Sequence, residues 1–319
     1  MQAKPLSVLI VALALTLALA ASGALAATPD ARFWDPSEVR ARFALQHGDV
    51  SSRLRVALAS VLPNQTLELS ARDRDGAPLP VEITGAPGLR RTPPGVWTFV
   101  APSRPGLHRL RVTSPEAQDE IVLNVFVLVP RARLARGRLN GYEIGRYPPP
   151  AVVQGARMDP PPGFIEVTRR NEDTLVSPHF RLSQFLCKEP GGFPKYVVVD
   201  ARLLAKLETL LAALQQRGVA AEGLEIMSGY RTPAYNRELG NPTTFSRHLW
   251  GDAADVFAAD IDGNGVVDAR DAELMFQVAD ALDRDPPEDW SVGGAGFYDR
   301  TQAHGPFLHV DVRGHAARW

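Results

Sequence analysis

Two segments far apart in this chain constrain its fold more than any other feature. Residues 246–255 read Ser-Arg-His-Leu-Trp-Gly-Asp-Ala-Ala-Asp, and residues 307–311 read Phe-Leu-His-Val-Asp. His248, Asp255 and His309 together make two imidazoles and one carboxylate, the set that holds zinc while leaving a fourth position for water. To act together, the three side chains must converge from segments far apart in the chain. Gly251 permits a tight turn after His248, and Ala253, Asp255 and Phe257 then fall on one strand face. In residues 307–312 the two-residue period puts His309 and Asp311 on one face and Leu308, Val310 and Val312 on the other. Two neutral imidazoles and one carboxylate leave a zinc site with about one positive charge in excess, which lets water ionise near neutral pH and attack a polarised carbonyl.

The flanking motifs extend this reading. Ser228-Gly229-Tyr230-Arg231-Thr232-Pro233-Ala234-Tyr235-Asn236, the Ser-Arg-His-x-x-Gly-x-Ala-x-Asp pattern, Gly293-Gly294-Ala295-Gly296-Phe297-Tyr298 and Leu308-His309-Val310-Asp311-Val312-Arg313-Gly314 occur in that order. Over residues 164–319 the chain resembles the zinc D-alanyl-D-alanine carboxypeptidase and murein endopeptidase family, which is related to lysostaphin-type peptidases and the hedgehog domain. The resemblance implies zinc on His248, Asp255 and His309. It also implies Arg231 against the substrate carbonyl or carboxylate, where a guanidinium stabilises a developing oxyanion. The implied reaction is amide hydrolysis in the stem or cross-link peptides of peptidoglycan, by a carboxypeptidase or an endopeptidase. Many family members place a general base two or three residues before the last ligand, but here those positions are Phe307 and Pro306. Asp311 becomes the candidate acid/base, or else a partner that orients a ligand, and His304 is the next choice. The alternative is a non-catalytic zinc-containing protein that binds the cell wall, because a shared fold does not carry a shared activity.

A second metal signal lies between the two zinc segments. Residues 260–271 match the twelve-position calcium loop, with Asp260, Asp262, Asn264, Asp268 and Asp271 at positions one, three, five, nine and twelve and Gly263, at position four, just ahead of Gly265 at position six. Val266 at position seven would give its backbone carbonyl. The closing Asp resembles the loop of dockerin-type modules, of which a full copy needs two, and only one is present. A structural calcium ion is expected here, since uncompensated carboxylates so close together repel one another. Leu274, Met275, Val278, Ala279 and Leu282 follow at helical spacing and predict an amphipathic helix after the loop.

Composition fits an exported two-domain protein. The chain has 319 residues, 45% of them hydrophobic, and a formal net charge of -1, which gives no sign of a nucleic-acid partner. Lys4, the apolar run 6–21 and Ala24-Leu25-Ala26 read as a signal peptide over 1–26, so the mature protein is expected in the periplasm or cell wall with no membrane span. The single cysteine, Cys187, cannot form an internal disulfide and reads as apolar filler. Oligomeric state is left open, a monomer being preferred.

Residues 27 to about 50 show no clear pattern, but about 51–130 alternate or run apolar between Gly/Pro turns, so 27–130 is expected to be a small all-β sandwich-like domain, a spacer or wall-binding module. Asp35-Pro36-Ser37-Glu38 could start a short helix ahead of it. Residues 131–163, rich in Arg and Pro, read as an extended surface linker, with a hairpin near Asn140-Gly141. Residues 164–319 are expected to be α+β, with a small antiparallel or mixed sheet holding the metal at its strand ends. A helix starting at Ala201, capped by Asp200, carries a leucine stripe that packs on this sheet.

Overall fold

A computed structural model describes residues 38–92, 95–241 and 243–319. The signal-peptide segment and the start of the short helix expected from Asp35 lie outside these residues. Among the described residues, no helix is long and apolar enough to cross a membrane.

The chain begins with two sheets. One runs in the order Val50–Leu54, Arg40–His47, Thr66–Arg72, Val96–Val100 and Leu89–Thr92, with Pro78–Leu79 added on Thr66–Arg72. The other is ordered Val56–Val61, Asp119–Val127, Gly106–Ser114 and Glu82–Thr84. Phe43, Leu45, Leu69 and Phe99 from the first sheet share a core with Leu110, Val112, Leu123 and Val125 from the second. Alternation in Thr66–Arg72 is the expected half-buried pattern, with Leu67, Leu69 and Ala71 inward. The strand read through Leu54-Arg55-Val56 is in fact broken at Arg55, where the chain passes from one sheet to the other. There the Arg55 guanidinium is buried and paired with Asp119 and Glu38.

Strand Asp119–Val127 is buried along its whole length, because its second face meets the C-terminal half. Leu58, Phe126, Leu128 and Val129 belong to the same core as the helix Ala201–Gln216 (α1). The N-terminal sheets therefore do not stand apart as a separate body, and all described residues fall within one compact unit.

The Pro-rich segment also differs from the expected surface linker. The hairpin at Asn140-Gly141 forms, pairing Arg138–Leu139 with Tyr142–Glu143. Leu139, Tyr142, Ile144 and Tyr147, however, are buried in the main core. Prolines restrict the local backbone but leave neighbouring side chains free to pack, and this segment uses them as an anchor. Tyr147 Oη donates to Leu249 O at 2.8 Å and lies 2.8 Å from Tyr230 Oη, which ties the segment to both halves of the site described below.

The C-terminal half is mixed α/β. Its five-stranded sheet is ordered Ile226–Ser228, Ala253–Phe257, Phe307–Asp311, Gly294–Tyr298 and Ala317–Arg318, antiparallel except for the last pair. As expected, Asp200 caps α1 by accepting from Arg202 N at 2.8 Å, and the leucines of the stripe are buried. Each fully buried leucine contributes roughly 2 kcal/mol. Two charges on α1 are buried as well, and each is used as a tie. Glu208 accepts from Ser177 Oγ and His179 N, and Lys206 Nζ donates to the carbonyls of Ser291 and Asp311, both at 3.0 Å. A short helix, Pro233–Glu238 (α2), follows the strand that leads to Arg231, and Ala269–Arg284 (α3) is the amphipathic helix expected after the acidic loop.

Candidate metal centre

Sheet register brings the centre together. Strands Ala253–Phe257 and Phe307–Asp311 are antiparallel neighbours in which Asp255 stands directly opposite His309. Period-two alternation sends both side chains to the same face. His248 arrives from a one-turn 3-10 helix, Arg247–Trp250, which ends at Gly251 with φ 68°. A Cβ at Gly251 would sit 2.1 Å from Val198 O, so glycine is required by both conformation and space.

The three groups are buried and mutually oriented. His248 Nε2 lies 3.2 Å and His309 Nδ1 2.8 Å from Asp255 Oδ1, and the two rings meet edge to face with centroids 5.1 Å apart. The three ligand atoms all lie within 4.8 Å of one another. Each imidazole spends its other nitrogen on an acceptor: His248 Nδ1 on Gly229 O at 2.7 Å, and His309 Nε2 on Asp311 Oδ2 at 3.3 Å. A carbonyl accepts only from N–H, so the His248 proton sits on Nδ1 and the Nε2 lone pair faces the cluster. This outer support is what zinc-ligating histidines require, and the N, N, O donor set fits zinc.

Electrostatics agree with that assignment. Burial lowers the His248 pKa, which favours the neutral imidazole a metal needs. Burial also pushes the Asp255 carboxyl up, but the two imidazoles outweigh it and hold it well below the usual carboxylate range. For His309, burial is outweighed by hydrogen bonds to Asp255 and Asp311, which push it up to about 8. A metal arriving there must displace a proton.

The expected catalytic residues separate into three situations. Arg231 reaches the centre: its guanidinium pairs with Asp255 Oδ2, its Nε donates to Ser228 Oγ at 2.8 Å, and its side chain borders the cleft. Asp311 is fully buried behind His309, accepting from Gly294 N at 2.7 Å and from Arg313 Nε at 2.9 Å. Burial raises its pKa, but His309 and Arg313 hold the carboxyl far below its ordinary value. It does not line the cleft, so its geometry is that of an orienting partner. His304 does not line it either; its Nδ1 lies 2.9 Å from Gly305 O and its ring stands edge-on to Phe307.

In front of the cluster lies a cleft of about 680 Å³. One wall was not foreseen: the hairpin of Ala151–Val153 and Ala156–Met158, whose Val153, Gln154, Ala156 and Met158 face the cavity. Gln154 and Gly155 both have positive φ, the turn geometry that closes two-residue hairpins. Gln154-Gly155 between short apolar runs was the available signal. Trp250 Nε1 bonds Asp159 O at 2.7 Å and His315 Nε2 lies 3.1 Å from Gln154 Oε1, so the hairpin is tied at base and tip.

The acidic loop is brought together in part. Asp260, Asp262 and Asp271 present oxygens within 4.8 Å of one another. Asp271 also accepts from Ile261 N at 2.7 Å and Asp268 N at 2.9 Å. Asp268, expected among the ligands, caps α3 by accepting from Arg270 N at 2.7 Å, and Asn264 Oδ1 accepts from Val266 N at 2.8 Å; neither is in the carboxylate cluster. α3 begins at Ala269, inside the loop, and its orphan N–H groups engage these side chains.

In comparison with protein families, residues 178–278 match the model described as Peptidase M15. No match is found among curated proteins. The matched segment is less than half of the chain; it includes Arg231, His248 and Asp255 and stops before His309. The M15 match and the His248, Asp255 and His309 cluster together support a zinc metallopeptidase, and the sheet register sets His309, from beyond the matched segment, opposite Asp255.

Proposed function

We propose that the protein is exported to the periplasm or cell wall and hydrolyses amide bonds in the stem or cross-link peptides of peptidoglycan. The observation that carries this reading is the ligand cluster opening on a cleft within a segment that fits a peptidase family. When bound, zinc supplies the Lewis acidity that polarises an amide carbonyl and activates water. The chain's own groups do the rest. Gly229 O holds the proton on His248 Nδ1, and Asp311 fixes the ring of His309. Arg231 shares its charge between Asp255 and the cleft, where it faces the oxygen on which negative charge develops. The enclosed Asp311 carboxylate is not assigned proton transfer to the leaving amine.

Digestion of purified muropeptides, followed by chromatography, tests the reading. Zinc-loaded protein is expected to release new fragments, chelator-treated protein none, and zinc re-addition to restore cleavage. A zinc-loaded protein that cuts no cross-link or stem bond would leave the non-catalytic wall-binding alternative in its place.

A calcium ion in the 260–271 loop belongs to the same proposal, supported by the ligand spacing and by the three clustered carboxylates. Calcium is expected to raise the thermal midpoint by several degrees at ligand concentrations about 100-fold above Kd, and Asp262→Ala to abolish that rise without removing zinc. Identical melting curves of the wild type with and without calcium would count against the ion.

A further inference from the structure

We propose that Trp319 is a specificity-determining residue. On this proposal its indole forms an apolar surface beside the metal ligand His309 that receives the aliphatic side chain flanking the scissile amide. The proposal rests on the peptidase reading above and adds the residue that selects the substrate's neighbouring group.

The placement is specific. The indole centroid lies 5.2 Å from that of His309, and the ring borders the cleft with 47% of the residue still exposed. Three restraints fix it there. Its Nε1 donates to Tyr298 Oη, the Arg313 guanidinium stands 5.3 Å from the ring centroid, and the preceding residues are pinned to the sheet. Arg318 makes that pin, donating at 2.7 Å to each of Asp280 and Asp283 on α3 and at 2.9 Å to Gly293 O.

Gly296 reserves the space. It is the cross-strand partner of His309, and a Cβ there would come within 2.4 Å of Trp319 Nε1. Its φ lies outside the left-handed region, so this glycine is needed for the indole rather than for the backbone. A rigid, half-open aromatic surface of this kind binds apolar groups at little entropic cost, which is why Trp recurs where binding energy concentrates. The candidate zinc ligands and Arg231 offer no such surface, and Val153, Ala156 and Met158 form another wall of the cleft, whereas the Trp319 ring packs directly against His309.

The test uses the full chain. Trp319→Ala is expected to raise KM for muropeptide cleavage roughly tenfold or more with a smaller change in kcat, and to retain one zinc per chain. Trp319→Phe should recover much of the loss. Gly296→Ala, which displaces the indole while keeping it in the chain, should move KM in the same direction as Trp319→Ala. Calorimetric titration of muropeptides into chelator-treated protein should show the same order of affinities without catalysis. Unchanged KM and affinity in Trp319→Ala, with only a lower thermal midpoint, would make the indole purely structural and overturn the proposal. A wild-type protein that neither binds nor cuts any muropeptide would show instead that the peptidoglycan reading itself fails, and the proposal with it.

Discussion

Asp255→Asn is expected to lose zinc and, with it, hydrolysis. Asp255 Oδ1 faces both imidazoles, at 3.2 and 2.8 Å, while Oδ2 holds the Arg231 guanidinium. An amide offers at best a neutral oxygen to the metal, and its NH2 must then face either an imidazole nitrogen or a guanidinium. The substitution also removes the only anion among the three ligands and leaves Arg231 uncompensated beside a dication. Loss of a group that merely supports a ligand costs about 10- to 100-fold in metal affinity, so loss of the anionic ligand should exceed about 100-fold. Asp311→Asn is the comparison, because that carboxylate touches His309 at 3.3 Å but stands outside the ligand set. It should weaken zinc by about 10- to 100-fold, with activity returning in excess zinc. Zinc per chain after dialysis against a weak chelator, followed by hydrolysis at increasing zinc, reads both. If Asp255→Asn kept a full complement of zinc, the ligand assignment would be wrong. An Asp311→Asn enzyme that binds zinc normally but stays inactive would give Asp311 the proton-transfer role instead.

The centre was legible because its determinants are local. Two-residue alternation put His309 and Asp311 on one face, and the structure shows them in contact. Gly251 announced the turn, and the leucine spacing after Asp200 announced α1. Register then did what a sequence only implies, setting Asp255 against His309 across two strands. What was not legible depends on partners distant in the chain. Tyr147, beside a run of prolines read as linker, is buried with its hydroxyl donating to Leu249 O and meeting the Tyr230 hydroxyl, and nothing near it in sequence says so. Arg55 looked like the middle of a strand, yet it is a sheet crossing held by Asp119. Asp268, read only as a calcium-loop position, also caps α3. Trp319, a lone aromatic after Ala317 and Arg318, has no periodic neighbours to mark a face, and its place in the cleft follows from the Gly294–Tyr298 strand.

Gly251→Ala and Gly240→Ala should separate two costs that glycine substitutions usually mix. The two residues have nearly the same backbone conformation, φ 68° and 69°. An L-residue in this region costs roughly 1–2 kcal/mol, and at Gly240 that is the whole expected loss, because a new Cβ meets nothing within 4 Å. At Gly251 the Cβ would lie 2.1 Å from Val198 O, 2.4 Å from Val198 C and 2.9 Å from Val199 N. All three are backbone atoms, so no flexible side chain can yield, and the turn must move away from the segment leading into α1. That movement strains the Asp200 N to Gly251 O hydrogen bond of 2.9 Å and displaces His248, three residues earlier. The expected loss for Gly251→Ala is about 4 kcal/mol or more, among the largest single-residue effects, together with weaker zinc binding. Urea unfolding midpoints of the two variants measure the difference, provided the slopes agree. Equal losses would mean that the close approach between the His248 turn and Val198 is soft, and that the position of this ligand is set by something other than the contact described here.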